Sequence, residues 1–486
     1  MPDTLHERPR RAVAVPAWAQ PALLLLLALL CWLSYRGMLD NGLFNDDFSW
    51  LRAARYEMAP GNVLGFRVVD FFRPLVNLSF YAMERLRPGN VPVQYAVNLC
   101  LHFLCSILVY RVVLNITRMA GVAAATAVLF AVSSVHQAAV LWMSARTTLL
   151  ATVFLLASLA VVTGARERRG AATALATLLY TLALASKEEA IAGLLIVALL
   201  FLLGRRREDG TPASGGALLS FGAVSIAYLI LRQYVMGGFH SPGWGPGAHV
   251  LRNVGGGFLY QLYPWPFLSL FYPRAATLPP SSNPILPELL ALPLAVILVW
   301  AGYAAKKALA MNAAVGVSLL ALLPTAPFRY RFFSTDSISQ DRYYYLSSVG
   351  STLAVVLLLS ILWSPRSRPR RAAAIAVFAL LLAGSIVRVD RLERKWDAYT
   401  RICRGVVEAI IHESDTFHGV TTLAIENPPF QFGYVRDALA LERPAWRVVQ
   451  IAGGRSEAAA HAPCLYISFT DGERRVMRVV KLEKDR

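Results

Sequence analysis

The residues best suited to chemistry in this chain fall into five short groups. The first is Phe44-Asn45-Asp46-Asp47-Phe48, two adjacent carboxylates between aromatic rings. A carboxylate so placed can take a proton from a hydroxyl nucleophile or hold a divalent cation through oxygen. Asp46 and Asp47 can equally serve as the N-cap and first-turn acid of the SWLRAARYE segment that follows. The residues alone leave both readings open.

The second group is Phe71-Phe72-Arg73-Pro74-Leu75, where Pro74 can start a helix. The Arg73 guanidinium can grip a phosphate with two hydrogen bonds or snorkel at an interface. In the third group His136 and Arg146 bracket an apolar turn. His136 can be acid, base or ligand, or a plain hydrogen-bonding residue. The fourth is Ser186-Lys187-Glu188-Glu189. Lys187 is the only lysine before Lys306 in a chain that otherwise uses arginine there. Its ammonium suits a phosphate as a point charge, or a Lys–Glu pair at an interface. The fifth runs from Asp341 and Arg342 through Tyr343, Tyr344 and Tyr345 to Gly350. An aromatic belt accounts for tyrosines at a membrane surface but not for the Asp341-Arg342 pair beside them.

The elements that must position these groups are apolar helices. Of the 486 residues 56% are hydrophobic and 16% charged, well below the quarter usual in soluble domains. Apolar stretches predict about eleven spans, at 17–36, 93–112, 119–135, 147–163, 171–187, 189–203, 214–235, 287–304, 308–325, 344–363 and 371–388. The segment 253–272 is long enough to be another, but Pro264 and Pro266 argue for an interfacial or re-entrant piece. The basic start (Arg8, Arg10, Arg11) precedes an apolar run with no small-residue cleavage site, so the first span is expected to remain as an anchor.

The net charge of +18 gathers in alternate short loops, the pattern that orients membrane helices rather than one that reads nucleic acid. That pattern puts the N-terminus in the cytoplasm. Loops 37–92, 136–146, 237–286 and 326–343, and the tail, then lie on the outer side. The dominance of Ala, Arg and Leu points to a GC-rich bacterial genome, hence an inner membrane. Residues 1–389 are expected to form the membrane domain and 390–486 a small non-cytoplasmic α/β domain. In the tail an amphipathic helix (RLERKWDAYTRICRGVVEAIIHE) precedes strand-like runs TTLAIE, WRVVQIA, CLYISFT and RVMRVVKLE. The five cysteines form no metal pattern; Cys403 and Cys464 could pair in an oxidising compartment.

In this order the groups resemble the GT-C superfamily of integral-membrane glycosyltransferases, and within it the protein O-mannosyltransferase-like branch that includes the transmembrane-and-TPR enzymes. The likeness covers roughly 40–350. It runs through Asp46-Asp47, the "YRPL" stretch seen as Phe72-Arg73-Pro74-Leu75, Asn98 with His102, and His136 with Arg146-x-x-Leu149-Leu150. It continues through Ser186-Lys187-Glu188, Leu268-Ser269 with Tyr272, and the "ERYLYLPSxG" stretch seen as Asp341 to Gly350. Two departures stand out. Thr147-Thr148 occupies positions where the family often has an acid, and the usual His-Pro-x-His is reduced to Ser133-Ser134-Val135-His136. No helical repeats follow the membrane part.

The resemblance implies an inverting transferase with a polyprenyl-phosphate-linked sugar as donor and a protein, lipid or glycan hydroxyl as acceptor. Asp46 is then the base, and Asp47 supports it or binds a divalent cation. Arg73, Lys187 and Arg342 are phosphate partners, and His136, Arg146, Glu188 and Tyr345 are further substrate contacts. Rival readings are a lipid-linked-sugar flippase, for which internal symmetry and broken midplane helices are wanting, and a glycan polymerase or ligase with a lipid-diphosphate donor.

Overall fold

The computed structural model describes residues 18–68, 71–164, 169–204, 215–236, 254, 258, 286–325, 340–417, 421–427, 432–452, 454–469 and 477–482. The segment 253–272, with Leu268, Ser269 and Tyr272, lies almost wholly outside them, as do the N-terminal arginines and most of loop 326–343.

A helix stands at each of the eleven predicted places. These are α1 (Ala19–Tyr35), α4 (Val91–Thr117), α5 (Ala120–Ala131), α7 (Arg146–Gly164), α8 (Arg169–Leu184) and α9 (Ala192–Gly204). Then come α10 (Gly215–Met236), α11 (Leu286–Ala304), α12 (Ala308–Leu322), α13 (Ser348–Leu362) and α14 (Arg368–Asp415). Among the described residues six helical stretches are long and apolar enough to cross a membrane, and α5 with Ser134–Leu141 makes a seventh if a 48° bend is allowed within one span. Outward faces carry Leu25, Ile230, Trp300 and Leu380, which only a lipid environment leaves uncovered at no cost. The chain is an integral membrane protein.

Short helices sit between the spans at one end. The loop after α1 holds α2 (Asp46–Arg52), a π-type turn at Ala53–Glu57, and α3 (Pro74–Leu86). The loop between α5 and α7 holds α6 (Gln137–Leu141) between two 3-10 turns. Close packing of α13 on α12 depends on Gly350, where an added Cβ would meet the Ala314 carbonyl oxygen at 2.3 Å. That approach anchors the segment carrying Arg342 to Ser348.

The last predicted span and the amphipathic helix of the tail are one continuous helix. At 48 residues α14 is about 72 Å long at 1.5 Å per residue. No Pro follows Pro369 in it, and the i,i+4 pairs Asp390–Arg394 and Asp397–Arg401 support it through the change of surroundings.

Beyond α14 the four predicted strand runs form β1 (Thr422–Glu426), β2 (Arg447–Ile451), β3 (Cys464–Phe469) and β4 (Met477–Leu482), with α15 (Phe432–Glu442) and α16 (Gly454–Ala459) between them. The sheet order is β2-β1-β3-β4, with β1 parallel to both neighbours and β4 antiparallel to β3. Cys403 lies on α14 and Cys464 on β3; both are free thiols, so the disulfide considered from sequence is absent.

Candidate active site

The site begins at the backbone of Asn45, whose φ of +47° turns the chain sharply into α2. Its ψ of −116° lies outside the left-handed helical well, a strained conformation for any residue with a side chain. The turn puts Asp46 and Asp47 in the first helical turn, where unpaired N–H groups favour negative charge.

The two acids then part company. Asp47 is fully buried. Its carboxylate accepts from the backbone N–H of Phe44 (2.9 Å), from that of Ser144 (2.7 Å), and from the Ser144 hydroxyl. It clasps the first loop to the second, and the Trp142 indole reinforces the clasp by donating to the Phe44 carbonyl at 3.1 Å. Burial pushes Asp47 up to about 7, against the Ser144 and Phe44 hydrogen bonds and with help from the Asp46 charge. Asp46 is only partly buried and takes a hydrogen bond from the Tyr434 hydroxyl on α15.

The small domain therefore docks on the acid-bearing helix. Ser49 donates to Asp437, Arg52 Nε lies 3.3 Å from Asp437, and the Tyr56 hydroxyl donates to the Leu441 carbonyl at 2.9 Å. No sequence signal tied residues near 434 to residues near 46. Only folding joins them.

The cations meet next to this. Pro74 opens α3, and Arg73 stands just before it. The Leu75 N–H donates to the Ala185 carbonyl at 3.3 Å, which lays this turn against the α8–α9 connection. Arg73 consequently grips Glu188 with two bonds, Nη2 to Oε1 at 2.8 Å and Nε to Oε2 at 3.3 Å, and its guanidinium lies 4.0 Å from the Phe71 ring centre. Lys187 Nζ donates to Glu189 and to Thr148 Oγ1, at 2.8 and 2.7 Å, and lies 4.9 Å from the Tyr343 ring. Thus the threonine found where the family often has an acid holds the ammonium by its hydroxyl, and Glu189 supplies the carboxylate. Arg342 lies 4.6 Å from the rings of both Trp142 and Tyr343.

Electrostatics shows how tightly the group is knit. Burial pulls Lys187 down to about 8; Glu189 opposes this, while Arg73 and Arg342 add to it. Burial pushes Glu188 up, but the charge and hydrogen bonds of Arg73, with the charge of Lys187, hold it down to about 2. The charge of Arg342 acts on Lys187 and also on the Tyr434 hydroxyl that bonds Asp46. Asp46, Tyr434, Arg342, Lys187 and Arg73 form one connected patch.

Three other residues singled out from sequence lie deeper. Arg146 is fully buried and bonds to the Gln94 carbonyl (2.7 Å), Asn98 Oδ1 (3.1 Å) and Ser79 Oγ (3.3 Å), with its guanidinium 4.1 Å from the Phe80 ring. His136 is fully buried with Nε2 at 2.7 Å from Ser348 Oγ. The Tyr345 hydroxyl sits 2.7 Å from Nδ1 of His102, whose Nε2 meets the Ala131 carbonyl at 3.0 Å. These side chains join α4, α5 and the start of α13. Sequence reading gave no role to Trp142, Tyr434 or Tyr228; it noted Thr148 only as a departure and Glu189 only as a possible partner of Lys187. Among the described residues no three His, Cys, Asp or Glu side chains gather as a metal site.

No family model matches the chain, and no curated protein matches its sequence. Solved structures do. AglB, the oligosaccharyltransferase of Archaeoglobus fulgidus, in complex with an inhibitory peptide and a dolichol-phosphate, matches with a TM-score of 0.53 at 13% identity, over 93% of this chain and 69% of that one. ArnT from Cupriavidus metallidurans in the apo state matches with 0.52 at 12% identity, over 95% and 98%. The fold is that of GT-C proteins. A further Archaeoglobus fulgidus oligosaccharyltransferase structure, tethered with an acceptor peptide, matches with 0.50 at 12% identity over 91% and 66%. The GT-C likeness spans the membrane helices and the C-terminal domain together, since more than nine-tenths of this chain is covered in each comparison.

Proposed function

We propose that this chain is an inverting glycosyltransferase that moves a sugar from a polyprenyl-phosphate donor to a hydroxyl acceptor at the outer face of a bacterial inner membrane. The observation that carries the reading is the continuity of the patch: a partly exposed acid and three cations meet at one end of a GT-C bundle, linked through Arg342. AglB of that fold was solved with a dolichol-phosphate and an inhibitory peptide, and another oligosaccharyltransferase structure of the fold carries a tethered acceptor peptide.

In this reading Asp46 takes the proton from the acceptor hydroxyl as its oxygen attacks the anomeric carbon. The bond from that carbon to the phosphate oxygen breaks, and its electron pair stays on the lipid phosphate. Arg73, Lys187 and Arg342 stabilise the charge developing there, the kind of preorganised electrostatics that often dominates catalysis. Asp47 holds α2 and the second loop in register, so that Asp46 faces the cations. Arg146, His136 and Tyr345 brace the helices beneath. A divalent cation has the Asp46 carboxylate as its candidate ligand.

The test is transfer by the purified full-length protein from a labelled polyprenyl-phosphate sugar to added acceptors. Sugar transferred in detergent, where no bilayer separates two compartments, excludes a flippase. Use of a monophosphate rather than a diphosphate donor excludes the polymerase or ligase reading. No transfer from any polyprenyl-phosphate sugar sinks the proposal.

A further inference from the structure

Glu188 stands where a bound phosphate would have to stand. It takes the Nε–Nη2 edge of Arg73 with two hydrogen bonds, at 3.3 and 2.8 Å, the side-on grip that a phosphate would also use. Its side chain is 28% exposed while that of Arg73 is 9%, so the carboxylate lies on the open side of the pair. Next to it Glu189 holds Lys187 in the same manner, with both side chains buried. The buried Tyr228 hydroxyl on α10 lies against Arg232 and within reach of the charges of Glu188 and Arg73.

We propose that Glu188 is an exchangeable counter-ion: the lipid phosphate displaces it from Arg73 on binding, and its return to Arg73 after transfer expels the product. This rests on the reading of the site as a polyprenyl-phosphate glycosyltransferase.

The charges of donor and product give the exchange its direction. The donor is a phosphodiester with one negative charge. Transfer moves the electron pair of the broken bond onto phosphate oxygen, so the product is a monoester. With its second ionisation near pH 6, a monoester carries nearly two negative charges above neutral pH. Coulomb energy scales with the product of the charges. An unopposed cationic site therefore favours the product over the donor and stays blocked by it. Each carboxylate in the cluster subtracts one unit of site charge, and that unit weighs about twice as much against the product as against the donor. Among the described residues Glu188 pairs with Arg73 and Glu189 with Lys187, and the charges of Arg73 and Arg342 act on Lys187 as well. The two glutamates thus set the balance between holding the donor and releasing the product.

The experiment measures binding of undecaprenyl phosphate and of its methyl ester, a monoester and a diester on the same lipid, to the purified full-length protein at pH 7.5. Glu188→Gln should tighten the diester about threefold and the monoester about tenfold, the square expected for doubled charge. The ratio of the two affinities therefore moves. A residue serving only the packing would weaken both alike. Glu188→Asp should return the ratio toward that of the native protein. Glu189→Gln should shift the ratio the same way by a smaller factor, and it carries the test if Glu188→Gln fails to fold. An unchanged ratio in both Gln variants overturns the counter-ion role while leaving the transferase reading in place. Failure of the native protein to bind either lipid overturns the transferase reading itself.

Discussion

The two arginine-bearing regions at this end of the bundle look alike in sequence and differ in kind. Arg146 lies deep and is held by a carbonyl, an amide oxygen and a hydroxyl. Arg73 is buried too, but it is held by a partly exposed carboxylate and a ring face. Neutral partners on buried helices cannot leave without orphaning further polar groups, so Arg146 is committed to structure. A carboxylate at the rim can be exchanged for another anion. The nature of the partner, rather than depth alone, separates a strut from a binding group. The two adjacent aspartates repeat the lesson. Asp47 has three donors from two loops, whereas Asp46 has one phenol from a domain nearly 400 residues away.

The sharpest break of this contrast is between the aspartates. Asp46→Asn should lower transfer by about 10²–10⁴-fold, the usual worth of a positioned proton acceptor, with an unaltered melting temperature. Retained turnover in a radiolabel assay removes Asp46 from the base role. Next come the arginines. Arg146→Met orphans buried acceptors at about 1–3 kcal/mol each, so the protein should melt much lower or fail to express. Arg73→Met should melt close to the native protein and instead raise KM for the donor. Equal loss of stability in both variants would erase the distinction drawn here.

The third effect is on pH dependence. Burial pulls Lys187 down to about 8, and in the proposed role it grips phosphate only when charged, so donor affinity should fall as pH rises through 8. In Lys187→Arg that alkaline fall should vanish, because guanidinium stays charged; a fall at the same pH in the variant assigns it elsewhere. The smallest effect concerns Asp47. Its folded value of about 7 lies above the ordinary 3.8, so the folded state holds the proton more firmly than the unfolded chain. Stability should therefore decline as pH rises between those values and level off above. Asp47→Asn cannot ionise, so across that window the native protein should lose several degrees of melting temperature relative to the variant. Parallel melting curves would show that Asp47 does not titrate there.

Much of the architecture was legible because it rests on composition and period. Apolar runs marked a helix at each of eleven places, and alternation marked all four strands of the tail. The continuity of α14 was less legible: the change from apolar to polar residues near 390 reads as a boundary, yet the helix needs only good helix formers to continue through it. The candidate site was half legible. Asp46, Arg73, Lys187 and Arg342 stood out as charge in apolar surroundings. Tyr434 did not, because a tyrosine in a soluble tail carries no signal until contact gives it one, and Thr148 showed only as the absence of an expected acid.

Sequence by itself determined that the chain is a helical membrane protein with a small α/β tail and which charged residues must be accounted for, because hydrophobicity and charge are local and additive. Only the tertiary structure decided how those charges are used. It sent Asp47 inward and left Asp46 at the surface, gave Arg146 neutral partners and Arg73 a carboxylate, and laid the C-terminal domain on the acid-bearing helix. A side chain's role depends on its partners, and partners distant in the chain are chosen by packing.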